Sequence, residues 1–427
     1  MTTKRPVVRG RGVLQNPAVQ YFLGIVLAVL VPVSMTILLV PRASLDATMA
    51  MTALGAGCAA MGGIFMFRRF DVFPGIQRFA YVAPSFLVSY TVVLAIFFFA
   101  RLDYSRLLYG LSFAASIGLF LLVCRYARRV ARQRFYVVPF GNVTWLADRE
   151  DLDVMFLQEP IFPREPDAVL VADLRADLGG GWERMIAETA ISGRAVYHTK
   201  QLRESIEGRV QIEHLSENSF GSLLPNLNYR NVKRAGDFIA ALLALPIVGV
   251  VFLIVAPLIK ITSPGPVLFR QERMGYRSAT FSVMKFRTMK VARVSETQEE
   301  RRQAAMTKTN DDRITAFGRF LRRSRIDEIP QILNVLKGDM SFIGPRPEAM
   351  DLADWYEEKL PFYSYRHIVR PGITGWAQVN QGHVAELDDV REKLHYDFYY
   401  IKNFSAWLDM VIALQTVTII VTGFGSK

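Results

Sequence analysis

Cysteine is almost absent, with two in 427 residues. Cys58 and Cys124 both lie in apolar stretches, which excludes a disulfide scaffold and a cysteine-rich zinc site. Five scattered histidines argue against a histidine-rich metal centre. Charge is also scarce. Only 21% of residues are charged, against about 25% in a typical soluble domain. With 51% hydrophobic residues and a mean hydropathy of +0.20, the chain is neither disordered nor wholly soluble. The dinucleotide fingerprint G-x-G-x-x-G is missing too. The charges that are present sum to +12, which excludes basic partners. Nucleic acid, anionic lipid and phosphorylated small molecules remain.

Four stretches carry no charge at all: Ala18–Val40, Ala47–Phe67, Phe79–Ala100 and Leu107–Cys124. Each is long enough to cross a hydrocarbon core of about 30 Å. The first is too long for a signal peptide and lacks a cleavage site. Lys4, Arg5, Arg9 and Arg11 precede the first span, and Arg68, Arg69 and Arg78 lie in the second connection. Arg125, Arg128, Arg129, Arg132 and Arg134 follow the fourth. The first and third connections hold only Arg42, Arg101 and Arg106, offset by Asp46 and Asp103. Both ends of this unit, residues 1–130, are therefore expected in the cytoplasm.

Residues 131–230 read as a small α/β domain. Phe135–Pro139 and Ala168–Val171 are apolar runs suited to buried parallel strands. Gly141-Asn142 and Gly179-Gly180-Gly181 are turn signals, and Trp182–Ile191 fits a helix. The pattern is half of a doubly wound fold, degenerate for want of the glycine fingerprint and expected to be structural. Residues 231–427 open on a fifth apolar stretch, Phe238–Ile259. Lys233, Arg234 and Lys260 flank it closely, and it contains Pro246 and Pro257. Cations on both sides and an interior proline predict a helix that enters the membrane, bends near Pro246 and returns. Glu296–Lys308 reads as a charged helix. Phe404–Thr422, apolar but broken by Asp409, suits a helix lying in the membrane interface.

The chemistry concentrates in Arg322–Pro347. Asp327 and Glu328 are adjacent acids behind Arg322, Arg323 and Arg325. Adjacent residues do not share a helix face, so the two take different tasks. An ionised Asp is a competent nucleophile toward activated phosphorus, and a second carboxylate can help hold a divalent cation. In Gly344-Pro345-Arg346-Pro347, two prolines aim one guanidinium and the glycine allows close approach to the backbone. Lys285 and Arg287 would share one face of a strand. Asp311 and Asp312 are either cation ligands or a helix-start turn. Trp376, Gln378 and Asn380 follow a glycine-punctuated loop. They could stack on and hydrogen-bond a nucleobase, or Trp376 could be a packing anchor.

In order and spacing, these segments resemble the bacterial sugar transferase family, the monotopic polyprenyl-phosphate phosphoglycosyl transferases. The resemblance runs from Lys233-Arg234 with Asp237 through Ser263-Pro264-Gly265-Pro266 and Phe269–Arg273 to the KFRTM, IDEIPQ, GPRP and RPGITGWAQVN segments and Tyr399–Asn403. The N-terminal half is similar in layout to the large members of that family. The resemblance implies transfer of a sugar 1-phosphate from a UDP-sugar to polyprenyl (undecaprenyl) phosphate, at the cytoplasmic face of the bacterial inner membrane. Asp327 would be the nucleophile of a phosphosugar intermediate formed with loss of UMP. Glu328 would complete the dyad and, with Asp327, a Mg²⁺ site. Lys285, Arg287, Arg322, Gly344, Pro345 and Arg346 would handle phosphate. The fold implied is an α-helical membrane protein with α/β cytoplasmic parts: four transmembrane helices, a Rossmann-like domain, and a catalytic core on a re-entrant helix. Membrane lipid is an expected partner, nucleic acid is not, and a homodimer is compatible. The family's usual Ser-Pro bend is missing, which leaves Pro246. Two rivals are a glycosyltransferase releasing UDP through an Asp151-Leu152-Asp153 metal motif and a non-catalytic membrane scaffold.

Overall fold

A computed structural model of the chain describes residues 16–39, 46–70, 82–130, 134–163, 165, 168–212, 225–290, 313–381 and 387–422. The segments Glu296–Lys308 and Asp311-Asp312 lie outside the described residues. So do Lys4, Arg5, Arg9, Arg11, Arg42, Arg78 and Arg132. By contacts the chain divides into two compact units, residues 1–207 and 208–427.

The first unit begins with apolar helices. α1 (Pro17–Ile25) continues through a π-helical turn, Val26–Leu30, into α2 (Val31–Leu39). α3 (Ala47–Phe70), α4 (Val82–Phe99) and α5 (Arg106–Val130) follow. Four stretches here are long and apolar enough to cross a membrane: Ala18–Leu39, Ala47–Arg68, Val82–Phe99 and Arg106–Tyr126. Small residues bring α3 against α4. A Cβ on Gly55 would meet the Phe97 ring at 2.2 Å, and one on Gly63 would meet Phe86 at 2.3 Å. Such close approach supports helix packing where lipid offers no hydrophobic drive. Tyr90 bridges to α5 by bonding Ser112 (2.7 Å) and Ser116 (2.8 Å).

The α/β part of this unit contains β1 (Arg134–Val137), β2 (Asp153–Phe156), β3 (Val169–Ala172) and β4 (Val196–His198). All pair in parallel in the order β2-β1-β3-β4. Alternation sorts the side chains onto two faces. Phe135, Val137, Val169 and Val171 pack with Leu202 of α7 (Thr199–Glu207). Tyr136, Leu170 and Ala172 pack with Met185 of α6 (Gly180–Ile191). Both faces are therefore covered, as parallel strands require.

The second unit begins with α8 (Leu227–Thr262), N-capped by the Asn226 side chain on the amides of Asn228 and Tyr229. The helix runs through Pro246 and Pro257 without interruption. Next come β5 (Leu268–Met274) and β6 (Thr280–Phe286), an antiparallel pair that sets Phe269 opposite Lys285. α9 (Ala316–Arg323) leads into a 3-10 turn, Ile326–Gln331, and α10 (Ile332–Lys337). β7 (Ser341–Ile343) pairs in parallel with β8 (Gly372–Thr374). α11 (Met350–Lys359), α12 (Trp376–Asn380), α13 (Leu387–Lys402) and α14 (Ala406–Thr422) complete it.

The Asp409 that interrupts the last apolar segment is buried. It accepts from Lys233 Nζ (2.6 Å), Tyr229 Oη (2.5 Å) and Tyr400 Oη (2.8 Å). α14 is thereby tied to the start of α8, and Val411 and Ile412 are buried beside it.

Candidate active site

Asp327 and Glu328 sit in the 3-10 turn between α9 and α10. Arg325, in a left-handed conformation (φ 58°), opens that turn. Both acids are only 8% exposed, so neither can keep its hydration shell and each needs another source of stabilisation. Glu328 finds it in two cations. Lys285 Nζ donates to its Oε1 at 2.9 Å and Arg346 Nη2 to the same oxygen at 2.7 Å. Burial alone would raise the Glu328 pKa. Arg346 and Lys285 overcome that and hold it well below the usual carboxylate range. Among the described residues Asp327 has no such pair, and its Oδ1 is buried without a hydrogen-bond partner. Burial first, then the Glu328 charge, push its pKa up to about 6, against the pull of Lys285, Arg322 and Arg346. Burial pushes the Lys285 ammonium down to about 8, although Glu328 favours the charged form.

Separate elements hold the two cations. Lys285 projects from β6, which Asn334 of α10 pins by accepting from Met284 N (3.1 Å) and donating to Ser282 O (2.8 Å). Arg346 lies between prolines, whose rings restrict the backbone. Its carbonyl accepts from Arg366 Nη2 at 2.8 Å, and the Pro347 carbonyl accepts from Arg273. Arg366 in turn pairs with Asp397 at 2.8 Å and donates to Tyr363 Oη at 2.7 Å. Lys393 pairs with Glu348 at 2.5 Å. Burial would raise Glu348, but Lys393, Arg366 and Arg273 hold it well below its ordinary value.

Arg273 closes the Phe269–Arg273 motif, whereas Glu348, Arg366, Lys393 and Asp397 form no local sequence motif. The only signal for them is charge set among aromatic residues that fold into the core, as in Tyr396-Asp397-Phe398. Arg322, from the last turn of α9, donates its Nε to Thr288 Oγ1 at 2.9 Å and adds positive potential at Asp327.

Other expected site residues have different duties. β6 ends at Phe286, so Arg287 does not share a strand face with Lys285. It is buried and donates to Ser263 O (2.8 Å) and Pro264 O (2.5 Å), holding the exit of α8. A Cβ on Gly344 would lie 2.2 Å from Arg370 O, so here glycine serves the close approach of β7 to β8. Pro345 accepts from Gly372 N through its carbonyl. Trp376 stacks on Tyr399 (5.6 Å between centroids) and donates its indole N–H to Gly208 O at 2.7 Å. Gln378 and Asn380 donate to Ile373 O and Trp376 O. These are the contacts of a packing anchor.

Among the described residues, no three His, Cys, Asp or Glu side chains converge as a metal site. Magnesium, however, is commonly held by one or two carboxylates and completed by substrate phosphates. Asp327 with its unpartnered Oδ1, beside Glu328, fits an ion of that kind.

The chain is similar to known proteins. The model of the bacterial sugar transferase family matches residues 228–423. A relative from Aeromonas hydrophila, a UDP-N-acetylgalactosamine-undecaprenyl-phosphate N-acetylgalactosaminephosphotransferase, is 41% identical over 417 residues. That alignment covers 97% of either chain. The chain belongs to the bacterial sugar transferase family. Other members match over less than half of the chain. The UDP-glucose:undecaprenyl-phosphate glucose-1-phosphate transferase of Escherichia coli K12 is 41% identical over 190 residues, 44% of this chain and 40% of the relative. A namesake from Xanthomonas campestris is 46% identical over 192 residues, 44% of this chain and 39% of the relative. The family match includes all of Lys285, Arg322, Asp327, Glu328 and Arg346.

A reaction that needs Asp327 as an anion and Lys285 as a cation has two pH limits. Activity should rise with pH through about 6, as Asp327 loses its proton, and fall through about 8, as Lys285 loses its own. Lys285→Arg, whose guanidinium does not titrate in this range, should remove the alkaline limb. Raising Mg²⁺ should move the acid limb to lower pH, because the metal favours the carboxylate form. Profiles of kcat/KM at several Mg²⁺ concentrations test this. An acid limb that ignores Mg²⁺ would separate the metal from Asp327.

Proposed function

We propose that this enzyme transfers a sugar 1-phosphate from a UDP-sugar to undecaprenyl phosphate and releases UMP. UDP-N-acetylgalactosamine is the first donor to test, on the strength of the relative that matches along nearly the whole chain. The observation that carries the reading is the unequal treatment of two adjacent buried acids. Glu328 is spent on fixing Lys285 and Arg346, while Asp327 keeps a buried oxygen without a partner.

In the reaction, Asp327 attacks the β-phosphorus of the donor. A new oxygen–phosphorus bond forms and the bond to the bridging oxygen breaks. That electron pair leaves with UMP. A phosphate oxygen of the lipid then attacks the same phosphorus, and the Asp327 carboxylate departs. Lys285, Arg322 and Arg346 hold the phosphate oxygens, where charge accumulates. Burial raises the Asp327 pKa toward 6, so it is a stronger nucleophile than a solvated aspartate yet mostly ionised at neutral pH. Mg²⁺, held by Asp327, Glu328 and the diphosphate, would supply further neutralisation of the donor.

A membrane-anchored acceptor calls for a core at the bilayer surface. In this reading α8 enters and leaves the same face of the inner membrane, with the catalytic unit in the cytoplasm. Its packing supports a bend. Ala241 packs in a cluster with Val283, Val335 and Met340, whereas Val255 and Ile259 pack with Phe286 and Leu321. A straight helix would set Ala241 and Ile259 about 27 Å apart. Val283 and Phe286 are close on one strand, about 10 Å apart. Between the two attachments, Leu243 and Leu253 are 73% and 79% exposed, an apolar surface suited to lipid.

Two measurements test the proposal. Nucleotide analysis of a complete reaction should show UMP as the product. UDP would favour the glycosyltransferase reading, and no nucleotide from any UDP-sugar would favour a scaffold. Cysteines introduced by Ser222→Cys and Ser295→Cys, on either side of α8, should both react from the cytoplasmic side. Labelling from opposite sides would mean that α8 spans the membrane.

A further inference from the structure

Four arginines gather beside the start of α8, and among the described residues no carboxylate pairs with any of them. Arg230 and Arg234 lie one turn apart on that helix. Arg230 Nη1 donates to the Tyr276 hydroxyl at 3.2 Å. The guanidinium carbons of Arg277 and Arg370 lie 5.1 and 5.0 Å from the centre of the Tyr276 ring. Arg234 and Arg370 also have a structural duty. They donate to the carbonyls that end α10, those of Val335 (2.6 Å), Leu336 (3.0 Å) and Gly338 (3.0 Å). Among the described residues Arg230 and Arg277 have no such duty, and their polar or ring partner is Tyr276. Arg277 also holds a left-handed backbone (φ 56°), an uncommon state for a residue with a side chain.

Such a cluster repels itself. Burial, and then the charges of Arg234 and Arg230, lower the Arg370 pKa from its ordinary value. Asp237 contributes an opposing charge, but its carboxylate is committed to Ser341, whose hydroxyl donates to it at 2.7 Å. The missing partner is an anion, and its position on the helix suggests which. One turn beyond Arg234, α8 enters a run of exposed apolar side chains that includes Phe238, Ile239, Leu242 and Leu243. Basic residues immediately before an apolar membrane helix lie at the depth of lipid phosphates. Guanidinium groups suit phosphate through paired, charge-assisted hydrogen bonds.

We propose that Arg230, Arg234, Arg277 and Arg370 form a binding site for the phosphate of an anionic phospholipid at the mouth of α8. This rests on reading α8 as a membrane helix, and it holds whether the helix bends back or crosses. It does not depend on the transfer reaction.

The test uses the full-length protein, purified in detergent from membranes containing phosphatidylglycerol, with bound lipid counted by native mass spectrometry. The variant Arg230→Gln/Arg277→Gln leaves the helix-capping arginines intact, so folding should survive. Arg149→Gln/Arg391→Gln is the charge-matched control on exposed positions. Wild type and control should retain a phosphatidylglycerol molecule. Each basic group beside an anionic surface strengthens binding about five-fold, so the double variant should bind about 30-fold more weakly. Equal retention by the variant and the control would overturn the proposal. So would displacement of the lipid by millimolar inorganic phosphate, which would make this a site for a soluble anion. If the variant misfolds, wild type titrated with phosphatidylglycerol and with phosphatidylcholine decides. Equal affinity for the two lipids would overturn the proposal.

Discussion

The catalytic unit depends on one carboxylate held between two cations. Glu328 lies between Lys285 and Arg346, 2.9 and 2.7 Å away, in a place water hardly reaches. Removing one partner of a buried ion pair typically costs about 3–5 kcal/mol, because the other charge is left uncompensated. That cost ties three elements together: β6 through Lys285, the turn before α10 through Glu328, and the proline-flanked loop through Arg346. With Glu328 already satisfied, the excess positive charge is left for Asp327 and for whatever phosphate comes to it.

Further supports converge on the same point. Arg366 and Arg273 bind consecutive carbonyls of the Arg346 loop, and Asp397 and Glu348 hold Arg366 in the core. From α8, Arg234 donates to carbonyls of α10, and Asp237 accepts from Ser341 of β7. Arg287 fixes the chain where it leaves α8. The helix that anchors the unit is therefore wired into both sides of the site, so a change in its attachment would be felt at Arg346 and Glu328.

Much of this was legible in the sequence where the signal was local. Uncharged runs of membrane length are a property of consecutive residues: α3 and α5 cover their expected stretches, and α4 lies within its own. The acid pair, Lys285 and Arg346 are drawn together because each sits in a short, ordered motif. What failed to show was anything decided by distant backbone. Arg287 looks like a partner of Lys285 until β6 ends between them. The close approach of the Arg370 carbonyl to Gly344 is likewise set by backbone distant in sequence. Asp409 looks like a break in an apolar segment, because Lys233, its counter-ion, is 176 residues away. The Arg366–Asp397 pair leaves no motif, since its purpose is to hold a loop that neither residue adjoins in sequence.

In the proposed reaction Asp327 itself carries the phosphosugar between the two substrates. The direct measurement is a lipid-free incubation of wild type with UDP-sugar and Mg²⁺, followed by intact-mass and peptide analysis. The account predicts a burst of up to one UMP per active site and one phosphosugar on the peptide containing Asp327, with neither in Asp327→Asn. A full burst from Asp327→Asn, or an adduct on another residue, would contradict it.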